Sequence, residues 1–579
     1  MDRKAWLAVS LSIIGLILWY VYYLPSVQPT GAPAAQPTAS ATPQATPQQI
    51  VEPVATPQPT PQGPVIAARS ETLSAGEDGN RAEFVFNNDT GGIQSAILLM
   101  HLGENEAVHL NRDAATPIGA LAFDPATPLG GFEMTADREA GTVVFTRRDP
   151  DGLEIRKVFT LPGPDVKASP YVVNLEVSFH NTSGIPISRP AWFVSAGSAA
   201  PIHEKDLPTY TRFDWQREGK MKGIDTNWFK AGSILGFQTR PARPVFTDTD
   251  GPFQWVAVAS QYFCTVLTPL DAQGTSLWSS GFDVPPKSGG RPVYGIRGSL
   301  GMPAFTLDAG ASLEQKFQIY SGPKEQSRLV SLGHGEQQVL NFGWFGFVSK
   351  FLLWAMNKLH GLVGSYAAAI ILLTLLIKGA LWPIQNRATN SMRRMAALSP
   401  KMTELREKYK DDPTKMNQEL MKLYRDYGIN PFSGCLPMLI QIPIFFGFYA
   451  MLGTAIELRN SSFLWIHDLS QPDTIGHILG FPINVLPLVM AGTMLWQMAI
   501  TPKTGDPAQQ RILMFMPIIF VVVAYNYASA LSLYWTTQNL FSIVQLYLTR
   551  NKPLPTLEKM KPVTKPTAGA GRKRKGRKS

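Results

Sequence analysis

The chain has 579 residues and a formal net charge of +10, yet apolar residues and charge are so unevenly spread that a string of similar soluble domains is excluded. Residues 24–340 carry 24 basic and 31 acidic side chains, seven net negative, which leaves +17 on the remainder. Two cysteines, Cys264 and Cys435, are too few for a disulfide framework and suit buried free thiols.

Arg3 and Lys4 precede an apolar run over residues 5–24. That run exceeds the roughly 7 to 15 residues of a signal-peptide core and reaches the roughly 20 that a helix needs to cross about 30 Å of hydrocarbon. It reads as a signal-anchor helix over 1–24 with a cytoplasmic N-terminus. A cleaved signal peptide is the alternative, with Ala32 and Ala34 near a cleavage site but Pro33 between them. Residues 25–64 are mostly Pro, Gln, Thr and Ala, too polar to fold, and read as an extended periplasmic tether.

Residues 65–325 alternate apolar and polar positions, as in "AEFVFN" (82–87) and "YVVNLEVSF" (171–179), between Gly-, Pro- and Asn-rich turns. This predicts a large all-β sandwich. The segment carries no Ser/His/Asp arrangement, no metal-spaced histidines and no Gly-rich phosphate loop; His101 and His109, eight apart, are poorly spaced as ligands. No metal or cofactor is expected. Trp192, Trp215, Trp228 and Trp255 fit a sandwich core better than a sugar-stacking platform.

Residues 326–384 hold "VLNFGWFGFVSKFLLW" (339–354), which suits a helix lying at the outer membrane interface, or an early start of the span that follows over 362–384. Residues 385–430, with ten basic and six acidic side chains, read as cytoplasmic. Met395, Leu398, Met402, Leu405 and Tyr409, then Met416, Leu420, Leu423 and Tyr427, recur at coiled-coil intervals, with Asp412 and Pro413 placed as N-cap and N1 of the second helix. An antiparallel helical hairpin follows, its first helix kinked at Ser399–Pro400. Residues 431–548 hold four more spans, near 432–456, 483–500, 512–527 and 531–548. Arg459 is the only Lys or Arg between Ile456 and Gly480, so that loop is external. Six transmembrane helices result, with both termini inside. The tail, 549–579, has 11 basic residues and one acid; Arg572, Lys573, Arg574, Lys575, Arg577 and Lys578 suit contact with ribosomal RNA or, alternatively, with anionic lipids.

Lys378 lies about six residues, roughly 9 Å, inside the cytoplasmic end of the second span. A basic side chain at depth faces protein or water, or snorkels to the headgroups. Thr374, Lys378, Trp382 and Gln385 share a helical face, as do Tyr534, Gln538, Ser542 and Gln545 on the last span. With Gln441 and Gln497 they point to a polar groove in the inner leaflet, interhelical hydrogen bonding being the other reading.

"CLPMLIQIPIFFGFYAML" (435–452), "FLWIHDLS" (463–470), "DPAQQRILMFMPIIF" (506–520) and "LSLYWTTQNLFSIVQ" (531–545) closely resemble the YidC/Oxa/Alb insertase family, over about 342–550. The anchor, tether and β domain resemble the long Gram-negative form more loosely. The resemblance implies a five-helix insertase core around a hydrophilic groove open to cytosol and lipid, a periplasmic super-sandwich domain, and a non-enzymatic insertase and chaperone of the bacterial inner membrane. Implied partners are nascent membrane proteins, the ribosome, the Sec translocon with its accessory proteins, and anionic lipids. Lys378, Thr374, Gln441, Gln497 and Gln538 would line the groove; Tyr534, Trp535 and Ser542 would touch substrate. The family's groove usually carries Arg where this chain has Lys378, which keeps the charge but replaces a planar fork with a compact ammonium. Rival readings are a small-solute transporter or channel, and an envelope enzyme or sugar binder working through the β domain.

Overall fold

The computed structural model describes residues 67–76, 81–103, 106–112, 116–162, 169–203, 206–234, 237–285, 293–429, 436–478, 481–501, 515, 517–522 and 524–550. The expected signal anchor, tether, Cys435 and basic tail, and part of the fifth span, lie outside them. The described chain divides into two compact units between Asn341 and Phe342.

In the first unit the period-2 pattern becomes strands: Ala82, Phe84 and Phe86 of Ala82–Asn87 are buried, and their neighbours are half-buried. A nine-stranded antiparallel sheet runs in the order Lys220–Asp225, Arg212–Arg217, Trp255–Ala259, Phe263–Pro269, Ser312–Pro323, Val172–Asn181, Leu153–Thr160, Thr142–Arg148, Glu133–Asp137. Phe159 pairs with Leu175, and Leu175 with Phe317, which puts all three on one face with Phe179. A five-stranded sheet containing Trp192–Ala199 and a four-stranded sheet containing Ala82–Asn87 cover that face. Trp192 packs 5.0 Å from Phe179 and 6.0 Å from Phe317, while Phe86 packs 5.4 Å from Phe159. Trp192, Trp215 and Trp255 are buried, and Trp228 is half-buried between Phe229 and Phe246 under the Arg243 guanidinium. These tryptophans are core.

Two buried polar groups refine that core. Lys157, fully buried, donates to the carbonyls of Gly91, Thr90 and Gly119, and its ammonium stands 4.2 Å from the Phe132 ring centre. One cation thereby ties strand Leu153–Thr160 to the loops of the covering sheets. Cys264 is buried, and desolvation pushes its thiol up to about 12, so it is inert toward oxidants and alkylators in the folded unit.

The β unit extends past residue 325, where the sequence suggested it ends. Helix α1 (Gln326–Leu332) and the turn Glu336–Leu340 bury Leu329, Val339 and Leu340. Glu336, fully buried, accepts from Thr268 Oγ1 at 3.2 Å and from His334 N–H at 2.8 Å, and Gln338 accepts from Met221 N–H at 3.0 Å.

The second unit begins with α2 (Gly346–Val363), which presents Phe347, Phe351 and Trp354 outward. Gly364 ends it in the left-handed region, φ +69°, with its N–H donating to His360 O at 2.8 Å. Ser365 then caps α3 (Tyr366–Ala397). The expected start at 362 thus gives way to a break at 364–365. Helix α3, 32 residues, is the one helix among the described residues long and apolar enough to cross a membrane by length and composition; shorter apolar helices span Leu439–Thr454 and Val485–Ile500.

Leu398 ends α3 and opens α4 (Ser399–Lys408), so the helix breaks at Ser399–Pro400. The Asp412 carboxylate accepts from Lys415 N–H at 3.0 Å and caps α5 (Pro413–Asp426). The hairpin core is small: Leu398, Met402, Tyr427 and Ile429 are buried, with Leu420, Leu423 and Tyr424 packed around them. Helices α6 (Leu436–Thr454), α7 (Val485–Ile500) and α8 (Ser529–Arg550) complete the unit.

Candidate functional site

Helix α8 packs on α3, α6 and α7. Between α3, α6 and α8 lies a small recess lined by Lys378, Leu381, Ile384, Gln385, Ile440, Gln441 and Gln545, with room for about one water molecule. Lys378, Leu381 and Gln385, three and four residues apart, share one face of α3, which is why one helix supplies both ammonium and amide. No Asp or Glu occurs in α2, α3, α6, α7 or α8. Among the described residues Lys378 makes no hydrogen bond or ion pair, so a half-buried cation faces the recess without an anion.

The neighbouring amides are fixed. Gln441 Nε2 donates to Tyr534 Oη and to Gln538 Oε1, both at 3.0 Å, clasping α6 to α8. Tyr534 is buried, its ring stacked 4.1 Å from Phe448. Gln545 Nε2 donates to Asn386 Oδ1 at 3.2 Å, tying α8 to α3. Trp382 meets Phe541 edge-on at 5.4 Å, and half-buried Trp535 lies 4.9 Å from Phe445 and 4.5 Å from Phe520.

Several residues read from the sequence stand away from the recess wall. Thr374 is buried and donates to its own helix at Ile370 O, 2.7 Å, and Ser542 likewise donates to Gln538 O, 2.9 Å. Gln497 is half-buried on α7, and neither it nor Gln538, which Gln441 holds, lines the recess. Arg572, Lys573, Arg574, Lys575, Arg577 and Lys578 lie outside the described residues. Two contacts had gone unread: Asn386, and Asn539, whose amide donates to Thr493 Oγ1 at 3.1 Å and joins α8 to α7. A second amide directly after Gln538, on a face about 100° round the helix, was the available signal.

The outward face of α8 is apolar, with Leu540, Val544, Tyr547 and Leu548 exposed. Apolar outer faces around a small polar recess are the features of a helical membrane protein.

Residues 358–555 match the family model described as the 60Kd inner membrane protein, and residues 108–355 match the YidC periplasmic domain. A membrane protein insertase YidC of Pelobacter propionicus is 31% identical over 489 residues, 80% of this chain and 84% of that one. The one of Syntrophobacter fumaroxidans is 34% identical over 438 residues, 73% of each chain. A solved structure titled "Active YidC insertase crystal structure with the first transmembrane domain resolved" aligns over 82% of this chain and 91% of that one, at 19% identity and a TM-score of 0.35. The chain belongs to the YidC membrane protein insertase family.

Proposed function

We propose that this chain, an insertase by family, lets the polar or acidic part of a nascent membrane protein leave water part-way across the inner leaflet while its apolar segment passes sideways into lipid. The observation that carries the reading is Lys378, an ammonium without a counter-ion in a recess of three glutamines. Coulomb attraction for a translocating carboxylate grows as bulk water is excluded. Transfer of the apolar segment into hydrocarbon then supplies the driving force, at about 0.8 kcal/mol per buried methylene, and no covalent chemistry is needed. Helix α8 suits the exit, with Gln545 lining the recess, Gln538 bonded to Gln441, and Leu540 and Val544 outward. In this reading Lys378 and Gln441 meet the polar segment, Gln538 holds Gln441 in place, and Tyr534 and Trp535 shape the wall along which the helix emerges, while Thr374, Gln497 and Ser542 are left without a direct part.

The topology we propose has six transmembrane helices, both termini cytoplasmic and the β unit periplasmic. Supporting it are the basic loop 385–430 and tail 549–579 against the acidic 24–340 segment. The helical hairpin receives the chain, the tail holds the ribosome or anionic lipid, and some substrates arrive through a Sec translocon. Purified protein in liposomes is expected to insert a membrane protein with a short acidic translocated segment while passing no small solutes. Solute flux without insertion would favour the channel.

The tail gives a separate expectation. Removing residues 572–578, six of them basic, should weaken ribosome binding and flatten its dependence on salt, because fewer counterions are released. Ribosome affinities measured across a salt series decide it; matching slopes for both proteins would remove the ribosome from the tail's partners.

A further inference from the structure

The recess has room for about one water molecule, so the polar segment of a substrate enters only if a wall moves. The seam between α3 and α8 is tied twice, by Gln545 to Asn386 and by Trp382 against Phe541. The α6 wall is built differently in its two halves.

From Gly447 onward α6 is fixed. Ser349 Oγ of α2 donates to Gly447 O at 3.0 Å, and α2 lies so close that a Cβ at 447 would meet Val348 at 2.7 Å. Phe448, Met451 and Leu452 are buried, and Phe448 stacks on Tyr534. Before Pro443 the helix is lightly held. Leu439 and Ile442 are exposed, and Ile440 and Gln441 are half-buried. Among the described residues, the two hydrogen bonds from Gln441 are the only side-chain ones that tie Leu439–Ile442 to another helix. Pro443, inside α6, has no N–H for the Leu439 carbonyl, and its ring crowds that carbonyl. A helix bends at such a proline. The first turns of α6 thus join the fixed half at a weak point, and they carry both residues that α6 gives to the recess, Ile440 and Gln441.

Gln441 spends both of its amide hydrogens on α8, one on Tyr534 Oη and one on Gln538 Oε1, which leaves neither for a polar segment. Neutral hydrogen bonds between membrane helices are weak, and an amide N–H bonds a carboxylate more strongly than a neutral oxygen. A substrate carboxylate drawn to Lys378 therefore competes well for Gln441.

We propose that Gln441 is the latch of the recess: residues 436–442 swing on Pro443 away from α8 when Gln441 trades Tyr534 and Gln538 for the polar part of a substrate. The latch rests on the reading above, that nascent chains use this recess. To test it, the full chain with Cys264→Ala and Cys435→Ala, in lipid vesicles, carries nitroxides on Leu439→Cys and Leu540→Cys, both exposed, to report the distance between α6 and α8. A second pair, Val489→Cys with Leu540→Cys, reports α7 against α8. A ribosome-bound chain stalled with its acidic segment at the recess should lengthen the first distance by about 5 Å or more, the room one extended chain needs beside another, and leave the second unchanged. Tyr534→Phe with Gln538→Leu removes both acceptors and should give the long distance without substrate. Pro443→Ala restores the missing N–H and should cut the substrate-induced lengthening by about half or more. A first distance that stays short in the stalled complex or in the double variant would overturn the latch, and so would equal lengthening of both pairs. Cross-linking of the same stalled chains from a photoreactive residue at Leu381 reads the underlying passage separately. Adducts without lengthening would overturn the latch alone, and lengthening in the double variant without adducts would overturn the passage and leave the latch standing.

Discussion

Replacing Lys378 with alanine should lower insertion of substrates with acidic translocated segments by about ten- to thirtyfold. Two unit charges about 8 Å apart at an effective dielectric of about 20 attract by about 2 kcal/mol, and each 1.4 kcal/mol is a factor of ten. Lys378→Arg keeps the charge and should retain most insertion, although it exchanges a compact point charge for a fork. Lys378→Met should fold as well as the parent or better, because it removes a half-buried cation that has no anion on its neighbouring helices. The assay compares one substrate with its acidic residues intact and neutralised. Loss confined to the acidic version supports attraction, whereas equal loss for both would make Lys378 a structural residue.

In the β unit, Trp192→Ala should destabilise that unit by about 3 to 5 kcal/mol, the usual cost of emptying a buried tryptophan site. Trp192 is 1% exposed and bridges two sheets through Phe179 and Phe317, so no single sheet can collapse into the space. Denaturant unfolding of the full chain, followed by proteolysis of the β unit, should show an earlier midpoint with an unchanged slope. The insertase reading also requires that the variant still insert substrates at moderate temperature. Insertion lost in proportion to the stability of the β unit would move the working site there, as an envelope enzyme or sugar binder demands.

What could be read from the sequence was short in range. Asp412 and Pro413 announced the start of α5, and Ser399–Pro400 the break after α3, because caps and proline act on their own turn of helix. The α2–α3 break was written locally too, as Gly364 then Ser365, but continuous hydropathy obscured it. Lys157 lies on the inward face of its strand with Ile155 and Phe159, so the pattern did bury it. Its partners, the carbonyls of Gly91 and Gly119, lie 66 and 38 residues away and no periodicity reports them. The fold of 326–340 onto the β unit depends in the same way on Glu336 meeting Thr268.

At the groove, spacing found the correct faces but not every side chain's use. Lys378 and Gln385 do share a recess with Gln441 and Gln545. Thr374 shares the spacing, yet a threonine in a helix can satisfy itself on the carbonyl four residues back, and it does so at Ile370. Tyr534 and Gln538 are both held by one amide of Gln441, a contact across 93 and 97 residues.

The central claim is that nascent chains pass through the recess between α3, α6 and α8. A photoreactive residue at Leu381, which lines the recess, and at Leu376, which is exposed on the same helix, tests it directly with ribosome-bound membrane-protein chains stalled at successive lengths. The account predicts adducts from Leu381 over a window of lengths in which the acidic segment crosses, and weak or late adducts from Leu376. Strong adducts from Leu376 with none from Leu381 at any length would contradict it.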